Sequence, residues 1–131
     1  MDTFTNTQVL AFLLGLYFLA ASMNLLTDGQ ATMGMIKELI AQPALGFLSG
    51  IAAFSIGGAI IATHYDWSSL LSSFITLVGW IAVAEGFLLI ACRKWFLGIF
   101  ERINFSTGII KTFGIAILII GILLIWASIG I

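Results

Sequence analysis

The chain has 131 residues, of which 61% are hydrophobic and only 8% are charged, and its formal net charge is −1. A soluble domain of this size could not bury so much apolar surface in its own core, so the composition excludes a soluble globular protein and indicates one that lies in lipid. The five cations form no run, which argues against a nucleic-acid partner, and a single cysteine without any Cys/His cluster predicts neither a disulfide nor a metal site.

The first apolar run predicts a transmembrane helix over about residues 9–26, which is long enough to cross roughly 30 Å of hydrocarbon at about 1.5 Å per residue. A cleaved signal peptide is the alternative, but no Lys or Arg precedes the run, so we expect an uncleaved helix. Polar residues at 27–29 end this helix. Residues 30–42 then have the hydrophobic spacing of a short amphipathic helix that lies in the membrane interface.

A second transmembrane helix is predicted over residues 43–63, with Pro43 in its first turn, where the missing N–H costs little. Small residues recur along one face of this helix, at Gly46, Gly50, Ala53 and Gly57. Such a face lets a neighbouring helix approach closely. The motif from Gly46 to Gly50 is a GxxxG, which is also compatible with a dimer interface, but we favour packing inside the bundle.

The second half of the chain repeats this order of elements. A short turn at residues 64–69 forces the second and third helices into an antiparallel hairpin. The third helix is predicted over about residues 70–92, and an amphipathic interfacial helix follows at 93–103, with Trp95 suited to the headgroup level. The fourth helix is predicted over about residues 108–129. The fold class is therefore all-α, with four transmembrane helices and two short interfacial helices.

The positions of the cations predict the orientation in the membrane. All five lie in or beside the first and third connections, at Lys37, Arg93, Lys94, Arg102 and Lys111. Because loops rich in Lys and Arg stay in the cytoplasm, both amphipathic connections are expected there. Both termini and the 64–69 turn are then expected on the opposite side.

An internal repeat accounts for the order of elements. Sliding the chain against itself by 64 residues superposes Gly15 on Gly79, Gly34 on Gly98, Gly50 on Gly114, Ala52 on Ala116 and Gly57 on Gly121. We expect one transmembrane domain over 1–131, built of two parallel repeats at about 9–63 and 70–129 that are related by an axis along the membrane normal. The second repeat has polar residues where the first has apolar ones, because Glu85 aligns with Ala21 and Lys111 aligns with Phe47.

A family resemblance rests on residues from about 42 to 90. The matching features are Pro43 and Ala44, the glycines Gly50 and Gly57, the His-x-x-Trp turn of His64 and Trp67, and the Leu-x-Gly-Trp run of Leu77, Gly79 and Trp80. In these the chain resembles a family of small, largely uncharacterised bacterial inner-membrane proteins with four helices. The resemblance implies a multi-pass protein of that membrane and no particular activity. The chain departs from the family pattern at Tyr65 and at Glu85.

Glu85 is the sharpest candidate for a functional side chain, because an ionisable group inside the hydrocarbon costs at least about 2.5 kcal/mol unless it is paired, neutralised or turned inward. In one interpretation it binds a proton or a cation. In the other, which we favour, it pairs with Lys111, which enters the fourth helix from the same side, and Asn24 completes the polar cluster by hydrogen bonding.

A second candidate site is the turn that holds His64, Asp66 and Trp67. His64 and Asp66 could together bind a cation or sense pH, although two ligands do not make a metal site. We favour a structural interpretation, in which Asp66 caps the third helix, Trp67 anchors the interface and His64 ends the second helix.

No arrangement in the sequence favours catalysis, since no base is placed to activate the serines near the third helix and no phosphate-binding loop is present, so we predict no catalytic residue and no cofactor. The favoured function is that of a non-enzymatic membrane protein that acts through helix packing, as a homo-oligomer or as an accessory subunit. Its partners would be the lipid bilayer and either a second copy or another membrane protein. The amphipathic connections would provide a docking surface, and helix packing would use the glycines Gly46, Gly50, Gly57, Gly79, Gly114 and Gly121. The alternative is a small transporter or channel that uses Glu85, and a lipid-modifying enzyme ranks last.

Overall fold

The structure is a computed structural model that describes residues 5–103 and 106–130. These residues form five α-helices: α1 (Asn6–Ala41), α2 (Pro43–Thr63), α3 (Leu70–Ala91), α4 (Arg93–Arg102) and α5 (Thr107–Gly130). Four of them, α1, α2, α3 and α5, are long and apolar enough to cross a membrane. The predicted all-α class with four such helices is therefore confirmed.

Helix α1 contains both the first transmembrane helix and the helical segment that we expected to follow it. Asp28 interrupts it with non-helical torsion angles, φ −151° and ψ 55°, so a kink separates two helical segments. The expected break at residues 27–29 is thus present, but it is a single residue rather than a connection. Asn24 bridges the kink, because its Nδ2 donates to Thr32 Oγ1 at 2.8 Å.

The start of α1 lies three residues before the predicted position. Thr5 caps the helix by accepting the Gln8 N–H on its hydroxyl, and the Gln8 side chain accepts the Thr5 N–H in return. This reciprocal capping box satisfies two backbone donors at the helix N-terminus. The polar residues that begin α1 therefore belong to the helix, although their composition alone suggests a loop.

The other helix boundaries agree closely with the predictions. Helix α2 spans the predicted residues, with Pro43 in its first turn. Helix α3 begins at Leu70 after a Ser69 cap and ends one residue before the predicted position. Helix α4 covers the amphipathic stretch except for its last residue, and α5 begins and ends one residue beyond the predicted bounds.

The four long helices pack as two pairs. Helix α1 packs along α5 and helix α2 packs along α3, whereas contacts between the pairs are few. A glycine from each helix lies at the centre of each pair: Gly15 contacts Gly121, and Gly57 contacts Gly79. Without a side chain at these positions, the backbones approach closely enough for dispersion contacts to hold the helices together.

The two pairs meet near the 64–69 turn, which we call the turn end of the molecule. One apolar residue from each long helix joins the buried cluster there: Ala11, Ile60, Ile75 and Leu124. The described N-terminal and C-terminal residues also lie at this end, because Thr7 Oγ1 lies 2.8 Å from His64 Nε2 and Gln8 Nε2 donates to Ser128 O at 3.2 Å. The kink of α1, helix α4 and the start of α5 lie at the opposite, amphipathic end.

Candidate functional site

Glu85 lies on the side of α3 that no other helix covers. The buried face of α3 includes Gly79 and Gly86, which lie against α2. Glu85 is outside that face and is exposed. It precedes the end of the helix at Ala91 by six residues, which places it about 9 Å inside the span. The carboxyl group is therefore within a membrane-spanning helix and is not packed into the interior of its own chain.

The structure does not bring Glu85, Lys111 and Asn24 together. Lys111 is on α5, which packs against α1, whereas α3 packs against α2. Within the described residues neither Glu85 nor Lys111 forms an ion pair, and both are exposed. The amide of Asn24 is used inside α1. The expected intramembrane cluster does not form within one copy, because its charged members belong to different helix pairs.

Lys111 borders a small pocket beside the kink of α1. The pocket has a volume of about 270 Å³, and its lining includes Asp28, Gly29 and Thr107. Lys111 is four residues from the start of α5, so its Cα lies about 6 Å into the span. Its long apolar stem allows the ammonium to move by several ångströms along the helix axis.

A polar cluster at the turn end connects the two helix pairs. His64 ends α2, as predicted, and is only 5% exposed. Its Nε2 lies 2.8 Å from Thr7 Oγ1 on α1, and its Nδ1 lies 3.3 Å from Thr76 Oγ1 on α3. The neighbouring Asn6 donates from Nδ2 to Thr63 O at 2.7 Å. His64 is therefore a structural link among three helices, and both its ring nitrogens have partners.

Thr76 holds the 64–69 turn against α3. Its side chain is fully buried. Its hydroxyl oxygen accepts the Asp66 N–H at 3.2 Å and lies 3.0 Å from the carbonyl oxygens of Asp66 and Ser72. One hydroxyl thus satisfies backbone groups of a turn that leaves the helical ladder, which matters because buried backbone groups without partners are costly.

The structure corrects the role expected for Asp66. The N-cap of α3 is Ser69, whose Oγ accepts the Ser72 N–H at 3.1 Å. Asp66 instead closes the turn, because its carboxylate accepts the Ser68 hydroxyl and the Ser68 N–H, each at 3.0 Å. These two hydrogen bonds, the hydroxyl first, hold the pKa of Asp66 below its ordinary value. Trp67 is exposed and contacts Tyr65 edge to face at a centroid distance of 6.0 Å.

The glycines predicted to mediate helix packing already contact other parts of the same chain. Gly46, Gly50, Gly57, Gly79, Gly114 and Gly121 are all buried. A Cβ on Gly50 would lie 3.1 Å from Gly86 O, and one on Gly114 would lie 2.9 Å from the Leu26 side chain. Because these faces already contact helices of the same chain, association with another protein must use other surfaces.

A cavity of about 1090 Å³ lies at the turn end, between the start of α3 and the end of α5. Its walls are mainly apolar and include Leu70, Phe74 and Leu123. The polar side chains at its edge, those of Thr5, Gln8 and Ser69, are hydrogen-bonded within the chain. The cavity therefore offers shape and apolar surface but no free polar group for recognition or catalysis.

Sequence reasoning missed three residues that organise the ends of the molecule. Thr7 and Thr76 complete the His64 link, and Arg93 donates from Nη1 to Leu39 O at 2.8 Å and to Ile40 O. The Arg93 stem crosses directly over Gly46. One signal was available: Thr76 is a polar residue in an apolar helix, on the same face as Gly79 and Ser72.

Among the described residues, no group of three or more His, Cys, Asp or Glu side chains is arranged to hold a metal ion. The chain matches no protein-family model, no curated protein and no solved structure. The family resemblance carried by residues 42–90 therefore stays a prediction, and the geometry of the chain itself has to support any assignment of function.

Proposed function

We propose that this chain is a non-enzymatic protein of the bacterial inner membrane that acts through helix packing, either as a homo-oligomer or as an accessory subunit of a membrane complex. The observation that carries the proposal is Glu85, a carboxyl group exposed on a membrane-spanning helix. In the described part of the chain, Glu85 forms no ion pair and is not buried by another helix.

Contact with lipid is energetically unfavourable for the Glu85 carboxyl group. An acidic side chain near the middle of a span costs at least about 2.5 kcal/mol, and the cost falls when a protein surface supplies a cation or a hydrogen-bond donor. Intramembrane ionisable groups accordingly face protein or water rather than lipid. The exposed position of Glu85 in a single copy therefore supports a second polypeptide against this side of α3.

The first experiment measures the mass of the purified full-length protein in mild detergent and in native membrane discs, together with whatever co-purifies. We expect either a discrete oligomer or a stoichiometric complex. Glu85→Leu should change the measured mass or the amount of co-purifying protein. Glu101→Leu is the matched control, since Glu101 is exposed on α4 outside the spanning helices. A monodisperse monomer that binds no other protein in either medium would contradict the proposal.

The tandem repeat belongs to the same proposal. A shift of 64 residues maps Gly15 onto Gly79 and Gly57 onto Gly121, so it exchanges the two central glycine contacts. It also maps the contact of Gly29 with Ile110 onto that of Arg93 with Gly46. This exchange of contacts supports two parallel repeats, which is the arrangement expected from duplication of a helix pair.

The proposed topology places both termini and the turn end outside the cytoplasm. All five cations are in or next to the amphipathic end, and none is at the turn end. The exposed side chains of Trp95 and Phe100 on α4 support a helix that lies in the interface. Labelling of single cysteines in a Cys92→Ala background tests this: Ser68→Cys should react from the periplasmic side and Lys94→Cys only after the membrane is permeabilised. The reverse pattern would overturn the orientation.

A further inference from the structure

Two opposite charges lie on uncovered surfaces of the spanning helices, and each lacks a partner in the described chain. Glu85 is exposed on α3 and Lys111 is exposed on α5. These helices belong to different pairs and barely contact each other, so the two side chains do not meet inside one copy. Each charge is therefore available to a group outside the copy that carries it.

The depths of the two charges match. Counted from the amphipathic end of its helix, Glu85 lies about 9 Å into the span and Lys111 about 6 Å. The flexible stem of a lysine covers the difference, since it can place its ammonium several ångströms away along the helix axis. When two copies lie side by side in one bilayer with the same orientation, the carboxylate of one copy and the ammonium of the other can therefore reach a similar level.

We propose that the partner of Glu85 is Lys111 of a second copy of this chain. The inference rests on the proposed function and names the partner that the proposed function leaves open. In a two-fold dimer each copy gives one carboxylate and one ammonium, so two ion pairs form and no charge is left facing lipid. A carboxylate paired in this way avoids most of the cost of an isolated charge in hydrocarbon.

The surfaces beside the two charges suit such a contact. On α3, Leu77 and Ile81 are exposed on the helix turns that precede Glu85. On α5, Ile115 and Ile122 follow Lys111 at helical spacing and are also exposed. Apolar side chains of this kind can interdigitate between two helices once the charges fix which faces meet.

Asp28 is the other acidic group near Lys111, because both border the small pocket at the kink. Asp28 is exposed at the point where α1 leaves its spanning segment, and in the described residues it forms no ion pair with Lys111. Asp28 is therefore closer to water at the amphipathic end than Glu85, which lies about 9 Å inside its helix. Of the two carboxylates, Glu85 gains more from the ammonium of Lys111.

Charge exchange tests the contact directly. Donor-labelled and acceptor-labelled copies of the full chain are reconstituted in liposomes, and energy transfer gives the association constant. We expect Glu85→Lys and Lys111→Glu each to lower that constant by about tenfold or more, which corresponds to about 1.4 kcal/mol. The chain that carries both changes should associate to within about threefold of the original, since every pair again joins opposite charges.

A mixture of the two single variants gives an independent reading. A copy with lysine at both positions and a copy with glutamate at both positions should associate with each other but not with themselves. Lys94→Glu and Glu101→Lys make the same charge changes on exposed positions of α4 and should leave association unchanged. If a charge-reversed variant does not fold by circular dichroism, the neutral changes Glu85→Gln and Lys111→Met replace it, and the double change should then cost no more than either single change.

The outcomes separate the inference from the proposed function. If the original chain self-associates but the double exchange does not restore association, the second-copy pairing is wrong while the proposed function stands. If the original chain is monomeric and co-purifies with another protein, the pairing is wrong and the accessory role stands. If the chain associates neither with itself nor with another protein, both the pairing and the proposed function are wrong. Restoration by the double exchange and by the mixture supports the pairing.

Discussion

The α2·α3 pair and the α1·α5 pair both meet at a glycine from each helix, but the backbones of α2 and α3 lie closer together. A Cβ on Gly57 would be 2.6 Å from Gly79 O and from Val83 N, whereas a Cβ on Gly121 would be 3.0 Å from Gly15 O. Close approach also extends further along α2·α3, where a Cβ on Gly86 would lie 2.6 Å from Gly50 O. At the corresponding level of the other pair, Gly114 faces leucine side chains.

This difference indicates how each helix pair can accommodate an added methyl group. Backbone atoms that meet a new methyl group cannot move without shifting a whole helix, whereas a leucine or isoleucine side chain can change rotamer. The α2·α3 pair therefore behaves as the rigid half of the molecule and the α1·α5 pair as the adaptable half. Contacts between the pairs depend on a few side chains at the two ends, chiefly His64 and Arg93.

The largest expected effect is at Gly57. Gly57→Ala should lower the free energy of unfolding by about 2–3 kcal/mol, because the added methyl group overpacks a backbone contact. Its neighbour Gly58 provides the matched control, since a Cβ there meets nothing within 4 Å. Gly58→Ala should be neutral or stabilising by up to about 1 kcal/mol through helix propensity. Unfolding in mixed micelles of mild detergent and dodecyl sulfate measures both, and equal effects would contradict the tight contact.

Gly121→Ala sharpens the comparison between the pairs. Its methyl group would lie 3.0 Å from Gly15 O and 3.1 Å from Leu19 N, so a small shift of α5 relieves the contact. We expect a loss of about 1 kcal/mol in the same assay, which is less than for Gly57→Ala. An equal or greater loss would show that the α1·α5 pair is no more adaptable than α2·α3.

Arg93 provides the link between the pairs at the amphipathic end. Arg93→Met should destabilise the protein by about 1.5–3 kcal/mol, because it removes charged hydrogen bonds to the Leu39 and Ile40 carbonyl groups at the end of α1. Lys94→Met is the control, since Lys94 is exposed and adjacent. Amide hydrogen exchange should increase in the second segment of α1 and little in α3. Unchanged amide hydrogen exchange in α1 after Arg93→Met would show that Arg93 does not link the two pairs.

Thr7 provides the link at the turn end. Thr7→Val preserves the shape of the side chain but removes the hydroxyl group beside His64 Nε2, so about 1 kcal/mol should be lost. Thr112→Val is the matched control, because the Thr112 hydroxyl is exposed and donates only to Gly108 O within its own helix. The difference between the two variants in the micelle assay isolates the contact with His64. A difference of zero would show that the contact adds nothing.

The smallest expected effect concerns the acid stability of the turn. Because the pKa of Asp66 is lowered in the folded state, its contribution to stability is present above the ordinary pKa of about 3.9 and is lost as the pH falls through the folded value. Ser68→Ala removes the hydroxyl donor, so the pKa of Asp66 should rise towards the ordinary value and the acid loss should shrink. A carboxyl carbon titration by NMR measures the shift, and an unchanged pKa would contradict the role of Ser68.

The sequence was sufficient to predict most helix boundaries and the α2·α3 hairpin, because hydrophobic runs and a six-residue turn leave few alternatives. The depth of Glu85 also follows from counting residues along the helix. Its direction does not, because the side of a uniformly apolar helix that faces a neighbour depends on which helix packs there. The expected pair with Lys111 failed for this reason: the pairing of α1 with α5 puts the two charges in separate halves.

The turn end was harder to predict for a different reason. Asp66 and Ser69 are both good capping residues, and their order along the chain does not decide which one accepts the first helical N–H. The structure assigns the cap to Ser69 because Asp66 is already engaged by Ser68. Thr76 stands out as a polar residue in an apolar helix, but its hydrogen-bond partners in the turn do not follow from any local pattern.

The pairing of the first helix with the last also sets an order for biogenesis. Helices α2 and α3 are neighbours in the chain and can associate soon after both are synthesised, whereas α1 must wait until α5 leaves the ribosome. During that interval the close-packing face around Gly15 has no partner from its own chain. We therefore expect α2 and α3 to be paired while α1 is still unpaired, and α1 to be covered only once α5 has been synthesised.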